Sequence, residues 1–280
     1  MITDYDYSKI ENYEELRKLQ LVQLEILKYV DDFCTKNKLR YSIAYGTLIG
    51  AVRHSGFIPW DDDLDICMPR EDYEKFISLW KDTDKYILQN HDTDREFPQG
   101  FTKIRKNNTA FIQKTDLNKE YHKGIFIDIF PYDRVPNGKI KQKIQMLHAM
   151  FYQLYNRGYA PSDNGLIYNF CCKLILFFVP KKKYYNKSKH HLKCVCKYNN
   201  DNSLSLFSIS SFFSMHRYYP SDAFDNIIKM KFEDTYVSAF KDYDIILSKF
   251  YGDYMKLPPE SEQNWYHHPI LIDFNKNYDD

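Results

Sequence analysis

Three things are scarce in this 280-residue chain: net charge, cysteine and long apolar runs. Lysine and arginine number 39 against 38 aspartates and glutamates, a formal net charge of +1. Proteins that grip nucleic acid concentrate positive charge to displace phosphate counterions. The balance here argues against a polymerase or a tRNA-modifying enzyme, and no nucleic-acid partner is expected. The six cysteines, Cys34, Cys67, Cys171, Cys172, Cys194 and Cys196, are too few and too unevenly spaced for a disulfide scaffold. Reduced thiols in a cytoplasmic setting are the expectation. Together with His190 and His191, the last four could supply a structural zinc, but their spacing matches no standard zinc pattern and ordinary cysteines are expected.

The opening stretch, MITDYDYSKIENYEELRK, lacks the basic start and apolar core of a signal peptide, so secretion is not expected. The most apolar later run, Leu166 to Val179, includes Asn169 and Lys173 and falls short of the roughly 20 residues a membrane span needs. The preferred reading is a buried helix. The other is an interfacial helix whose apolar face meets lipid beside Lys181, Lys182 and Lys183, which would give peripheral contact with the inner face of a membrane.

What the chain does have is four aspartates in five positions, within YSIAYGTLIGAVRHSGFIPWDDDLDICMPREDYEKF at 41–76. If Asp61 to Met68 is extended, Asp61, Asp63 and Asp65 project to one side and Asp62, Leu64 and Ile66 to the other. Carboxylates that close raise one another's pKa or are neutralised by a cation, and oxygen ligands suit a hard ion such as Mg²⁺ or Mn²⁺. Upstream, the short strand YSIAY runs into Gly46-Thr47 and then LIGAVRH, which has helical apolar spacing. Gly46 and Thr47 would sit at a helix N-terminus, where free N–H groups hold phosphate. A phosphate cradle facing a carboxylate edge suits metal-assisted phosphoryl or nucleotidyl transfer. A solvated acidic turn is the plain alternative, but Pro59-Trp60 before and Leu64, Ile66 and Met68 after give a buried-strand context. A calcium loop fails because Ile66 stands where glycine is required and Asp72 where glutamate is required.

Around this block the pattern predicts an amphipathic helix over Leu16–Asn37 and a helix over Glu71–Trp80. Short strands are predicted at Tyr86–Gln89, Phe101–Arg105, Thr109–Gln113 and Ile125–Phe130. Lys139–Asn156 reads as helix, followed by the apolar run, a Lys/His/Cys-rich helix and a Ser/Phe-rich segment at 203–214. No internal repeat is present. A soft boundary near residue 160 divides a catalytic core, 1–160, from a C-terminal region, 161–280, that completes the active site.

The block from Ala44 to Phe76, with KGIFIDIFPYDRVP at 123–136 and YGDYMKLPPE at 251–260, resembles the LicD family of phosphocholine and related alcohol-phosphate transferases, relatives of the fukutin group within the nucleotidyltransferase superfamily. The resemblance runs in order from about Leu16 to His268. It implies an α+β fold with a nucleotidyltransferase-like mixed sheet flanked by helices and a mainly helical C-terminal region. Gly46-Thr47 fills the family's glycine turn, with Thr where Ser is commoner, Asp63-Leu64-Asp65-Ile66 its paired carboxylates, and Asp128 its third.

Asp63 and Asp65 are accordingly expected to hold Mg²⁺, with Asp128 as third ligand or as base, and Asp61 and Asp62 to orient ligands or waters. A carboxylate within the apolar strand IFIDIF is costly unless paired; its alternative partner is Lys103 or Arg105. Gly46, Thr47, Arg53, His54, Lys103 and Arg105 are candidates for the donor phosphates, and Trp60 for a base, a quaternary ammonium or the core. The resemblance further implies that His267-His268-Pro269 closes over the donor. It implies a CDP-alcohol donor such as CDP-choline, a glycan or lipid-linked sugar acceptor (lipopolysaccharide, teichoic acid or capsule precursor), and release of CMP. A nucleotidyltransferase acting on a small hydroxyl acceptor, and a non-catalytic glycan-assembly partner, are the alternatives.

Overall fold

The structure, a computed structural model, describes residues 6–161, 165–212 and 214–279. The chain divides into two compact units that alternate along the sequence: Met1–Leu88, Lys103–Phe130 and Asp222–Asp280 form the first, and Gln89–Thr102 and Pro131–Ser221 the second.

The first unit opens with α1 (Tyr13–Lys36), whose Leu16, Leu19, Leu24, Ile26, Leu27 and Val30 are buried along one stripe. Glu14 and Glu15 in its first turn and Lys36 in its last match the helix dipole. Next come β1 (Ser42–Ile43), α2 (Tyr45–His54), β2 (Asp65–Pro69) and α3 (Arg70–Leu79), then β3 (Tyr86–Gln89), β4 (Thr102–Lys106), β5 (Ala110–Ile112) and β6 (Phe126–Arg134). The main sheet runs β1-β2-β6-β4-β3, with β1 antiparallel to β2 through Ser42 opposite Cys67 and Ile43 opposite Ile66. Its core is aliphatic: Ile43, Leu64, Ile66, Met68, Ile104, Ile127 and Ile129 are buried. Phe33, Phe76 and Trp80 pack ring on ring, with centroids 5.1–5.2 Å apart.

The second unit takes the C-terminal half of β6 and adds α4 (Lys139–Arg157), α5 (Leu166–Phe178), α6 (Tyr184–Cys196), β7 (Ser205–Ser208) and β8 (Tyr219–Pro220). β7 pairs antiparallel with both β6 and β8. Its core gathers Val135, Ala149, Tyr152, Val195, Phe207, Ile209 and Met215, so α4 and α6 supply most of its wall. Phe213 of the Ser/Phe-rich segment lies outside the described residues.

The chain then returns to the first unit with a hairpin of β9 (Ile227–Phe232) and β10 (Thr235–Phe240), α7 (Tyr243–Tyr251) and β11 (Leu271–Asp273), which pairs with β5. The α+β class agrees with expectation. No strands were expected over this hairpin, although Lys229, Met230, Lys231 and Phe232 alternate polar and apolar in the manner of a half-exposed strand.

One expectation is corrected. The apolar run 166–179 does form a helix, α5, but of its thirteen residues only Cys172 is buried. The second unit closes its core with α4 and α6, and α5 presents an apolar face outward.

Candidate active site

The site lies in the first unit and begins where β1 hands over to α2. Tyr45 has a left-handed backbone, φ 47°, a conformation bulky residues rarely adopt. It turns the chain so that Gly46 and Thr47 open α2, where their N–H groups have no acceptor within the helix. Gly46 is bare for a reason: a Cβ there would stand 2.6 Å from Asp61 Oδ2. Thr47 is buried, and its Oγ1 accepts a hydrogen bond of 2.8 Å from the Asp65 N–H, so the helix start is fastened to the head of β2.

The aspartates lie on that junction. The regular strand starts at Asp65, later than the extension expected from Asp61, but the ladder reaches Leu64, whose carbonyl accepts from the Asp128 N–H at 2.9 Å. The alternation holds: Leu64 and Ile66 enter the core, while Asp61, Asp63 and Asp65 share a cluster with Asp128. Burial, then the charge of Asp63, pushes the Asp65 carboxyl well above the usual range. Burial, then Asp63 and Asp62, does the same to Asp61, whose side chain hydrogen-bonds that of Asp63. Asp63 is raised by burial to about 6 despite the opposing charge of His267.

Asp62 points the other way and is fully buried. It accepts hydrogen bonds from the backbone N–H groups of Tyr266 and His267, at 3.2 and 2.9 Å, and from His267 Nδ1 at 3.1 Å. His267 Nδ1 is also 3.9 Å from Asp63 Oδ2. Burial disfavours the imidazolium, but the bond to Asp62 and the charges of Asp63 and Asp62 outweigh it and raise its pKa. The aspartate turn is held from behind by two buried glutamines of α1: Gln20 Nε2 donates to the Asp61 carbonyl at 2.9 Å and Gln23 Nε2 to that of Asp62 at 2.8 Å. Neither glutamine was foreseen; their only sequence signal is two polar residues on the apolar stripe of α1.

The cationic candidates have protein partners. Lys103 Nζ lies 2.6 Å from Asp128 Oδ1, the ion pair weighed as the alternative reading of Asp128, and both side chains are buried. Burial lowers the Lys103 pKa against the pull of Asp128. Arg53 donates to the carbonyls of Tyr254 and Lys256, fastening the YGDYMKLPPE segment to α2, and Arg105 donates to the Gly124 carbonyl. Trp60 is buried, edge-on to His54, with the Arg53 guanidinium 5.8 Å from its ring centre.

Asp61, Asp62, Asp63, Asp65 and Asp128 thus outnumber the nearby cations Lys103, Arg53 and His267. The oxygens of Asp61, Asp63, Asp65 and Asp128 suit a hard divalent cation in charge and in chemistry, while those of Asp62 are taken up at 266–267. Among the described residues, no three His, Cys, Asp or Glu side chains are already gathered as a metal centre, the Cys/His group at 171–196 included.

A protein-family model for the LicD/FKTN/FKRP nucleotidyltransferase domain matches residues 38–164. Over 259 residues the chain is 33% identical to the lipopolysaccharide cholinephosphotransferase LicD of Haemophilus influenzae, covering 90% of this chain and 96% of that protein. Uncharacterised proteins of Rickettsia typhi and Rickettsia prowazekii are 43% and 44% identical over 65 and 64 residues, 23% of this chain in each case. The chain belongs to the LicD family.

Proposed function

We propose that this protein transfers phosphocholine, or a related alcohol phosphate, from a CDP-linked donor to a sugar hydroxyl of a cell-surface glycan precursor. The kinship with a lipopolysaccharide cholinephosphotransferase supports lipopolysaccharide as the acceptor class. The observation that carries the reading is the packing of Asp61, Asp63 and Asp65 against the start of α2.

In this reading the acceptor oxygen bonds to the phosphorus distal to the nucleoside, the bond from that phosphorus to the bridging oxygen breaks, and its electron pair leaves on CMP. The N–H groups of Gly46 and Thr47 bind donor phosphate oxygens. Asp63, Asp65 and Asp128 would hold Mg²⁺ or Mn²⁺, which when bound neutralises phosphate charge. With Oδ1 of Asp128 engaged by Lys103, Oδ2 is the atom that would serve either as the third ligand or, in place of that, as the base toward the acceptor hydroxyl. His267, fixed by Asp62, caps the cluster and excludes water.

Incubation with a panel of CDP-alcohols, Mg²⁺ and a lipopolysaccharide acceptor tests this. CMP appearing in step with choline phosphate on the acceptor is expected. Nucleoside monophosphate on the acceptor instead would establish the nucleotidyltransferase alternative.

A further inference from the structure

α5 is the most apolar helix of the chain and the least covered. Leu166 is 91% exposed, Ile167 83%, Phe170 65%, Phe177 81% and Phe178 72%, with Leu174 beside them. At about 100° per residue these positions fall within one arc of roughly 120°, a continuous outward stripe rather than scattered side chains. The inward arc carries Tyr168, Asn169, Cys172, Ile175 and Leu176, which are buried or half-buried.

Charge says what covers the stripe. From Gly165 to Asn200 the sequence holds eight lysines and no aspartate or glutamate. Lys173 borders the stripe, and Lys181, Lys182 and Lys183 follow directly after the helix and are exposed, as is Lys187. Among the described residues, only Lys189 of the eight is drawn to an acid, Asp92 of the same unit, at 2.7 Å. An apolar stripe bordered by uncompensated cations matches the boundary between acyl chains and anionic head groups. Thirteen helical residues extend about 20 Å, too short for a hydrocarbon core of about 30 Å. No helix among the described residues is long and apolar enough to cross a membrane.

We propose that α5 and Lys181–Lys183 form a docking face for an anionic lipid surface, with the helix lying in the plane of the interface. A transferase with a lipid-linked sugar acceptor would meet its substrate there, but the binding stands on the helix and its lysines, independent of the reaction.

The test is flotation of the full-length protein with vesicles of phosphatidylcholine alone or mixed with phosphatidylglycerol. The protein should float with the mixed vesicles, and the partition should drop about tenfold or more in a Phe170→Ser/Phe177→Ser variant and in a Lys181→Gln/Lys182→Gln/Lys183→Gln variant. Because these side chains are exposed, both variants should keep the wild-type melting temperature and turnover of soluble substrates. Absence of binding to mixed vesicles would overturn the proposal, as would equal binding by the variants. A wild type that is dimeric and ignores vesicles, with a monomeric Phe170→Ser/Phe177→Ser variant, would assign the face to a second copy of the chain and equally overturn it.

Discussion

Lys103 Nζ sits 2.6 Å from Asp128 Oδ1 with both groups withdrawn from water, so the third carboxylate of the cluster is already half-neutralised by the protein itself. A buried ion pair is roughly neutral as a pair but costly to break from one side, about 3–5 kcal/mol, because the remaining charge is stranded. Lys103→Met is therefore expected to lower stability by about that amount in metal-free buffer. Added Mg²⁺ should raise its melting temperature more than that of the wild type, since the cation would take over the charge of Asp128. Denaturant and thermal melts check both; a variant as stable as the wild type would show that the pair carries no such charge.

The carboxyl pKa values fix a pH dependence. Asp63 is raised from an ordinary 3.8 to about 6, and Asp61 and Asp65 are raised as well. A carboxyl raised on folding binds protons more tightly in the native state, so its contribution is fully present below pH ~4 and is lost as pH rises through about 6. For Asp63 the loss is roughly 3 kcal/mol. Asp63→Asn should gain stability relative to the wild type between about pH 4 and pH 7.5 in the absence of divalent cations. The depressed histidines His122 and His191 run the opposite way but are common to both proteins and cancel. Parallel melts across that range measure the difference; parallel curves would contradict the clustering.

His267 lowers the pKa of Asp63 while capping Asp62. Replacing it with glutamine removes that charge, so the Asp63 pKa climbs further. The acidic limb of the pH–rate profile for CMP release should move to higher pH, with turnover at neutral pH falling roughly tenfold. An unmoved limb would limit His267 to a structural role.

Much of the geometry of the candidate site was legible because its signals are local. A period of two put Asp61, Asp63 and Asp65 on one face and Leu64 and Ile66 on the other, and helical spacing put Gly46 and Thr47 at the start of α2. Partnerships across long sequence separation were not legible. Arg53 reads as a phosphate ligand but donates to carbonyls 201 and 203 residues away, and of the roles open to Trp60, a base, a quaternary ammonium or the core, its burial agrees with the core. The buried reading of α5 failed for a related reason: apolar periodicity gives a helix its face but not what that face meets. Only the packing of α4 on α6 revealed that the core was closed without it.

The proposed transfer centre is the edge formed by Asp63 and Asp65. Its most direct test is the rate of CMP release from CDP-choline, with acceptor and saturating Mg²⁺, by purified Asp65→Asn. Asp65 keeps its backbone bond to Thr47 whatever its side chain, so the variant should fold, and relief of repulsion should leave it at least as heat-resistant. Turnover should fall at least about 1,000-fold, with the wild type's stabilisation by Mg²⁺ abolished. A folded Asp65→Asn protein that releases CMP at a rate near that of the wild type would contradict this assignment.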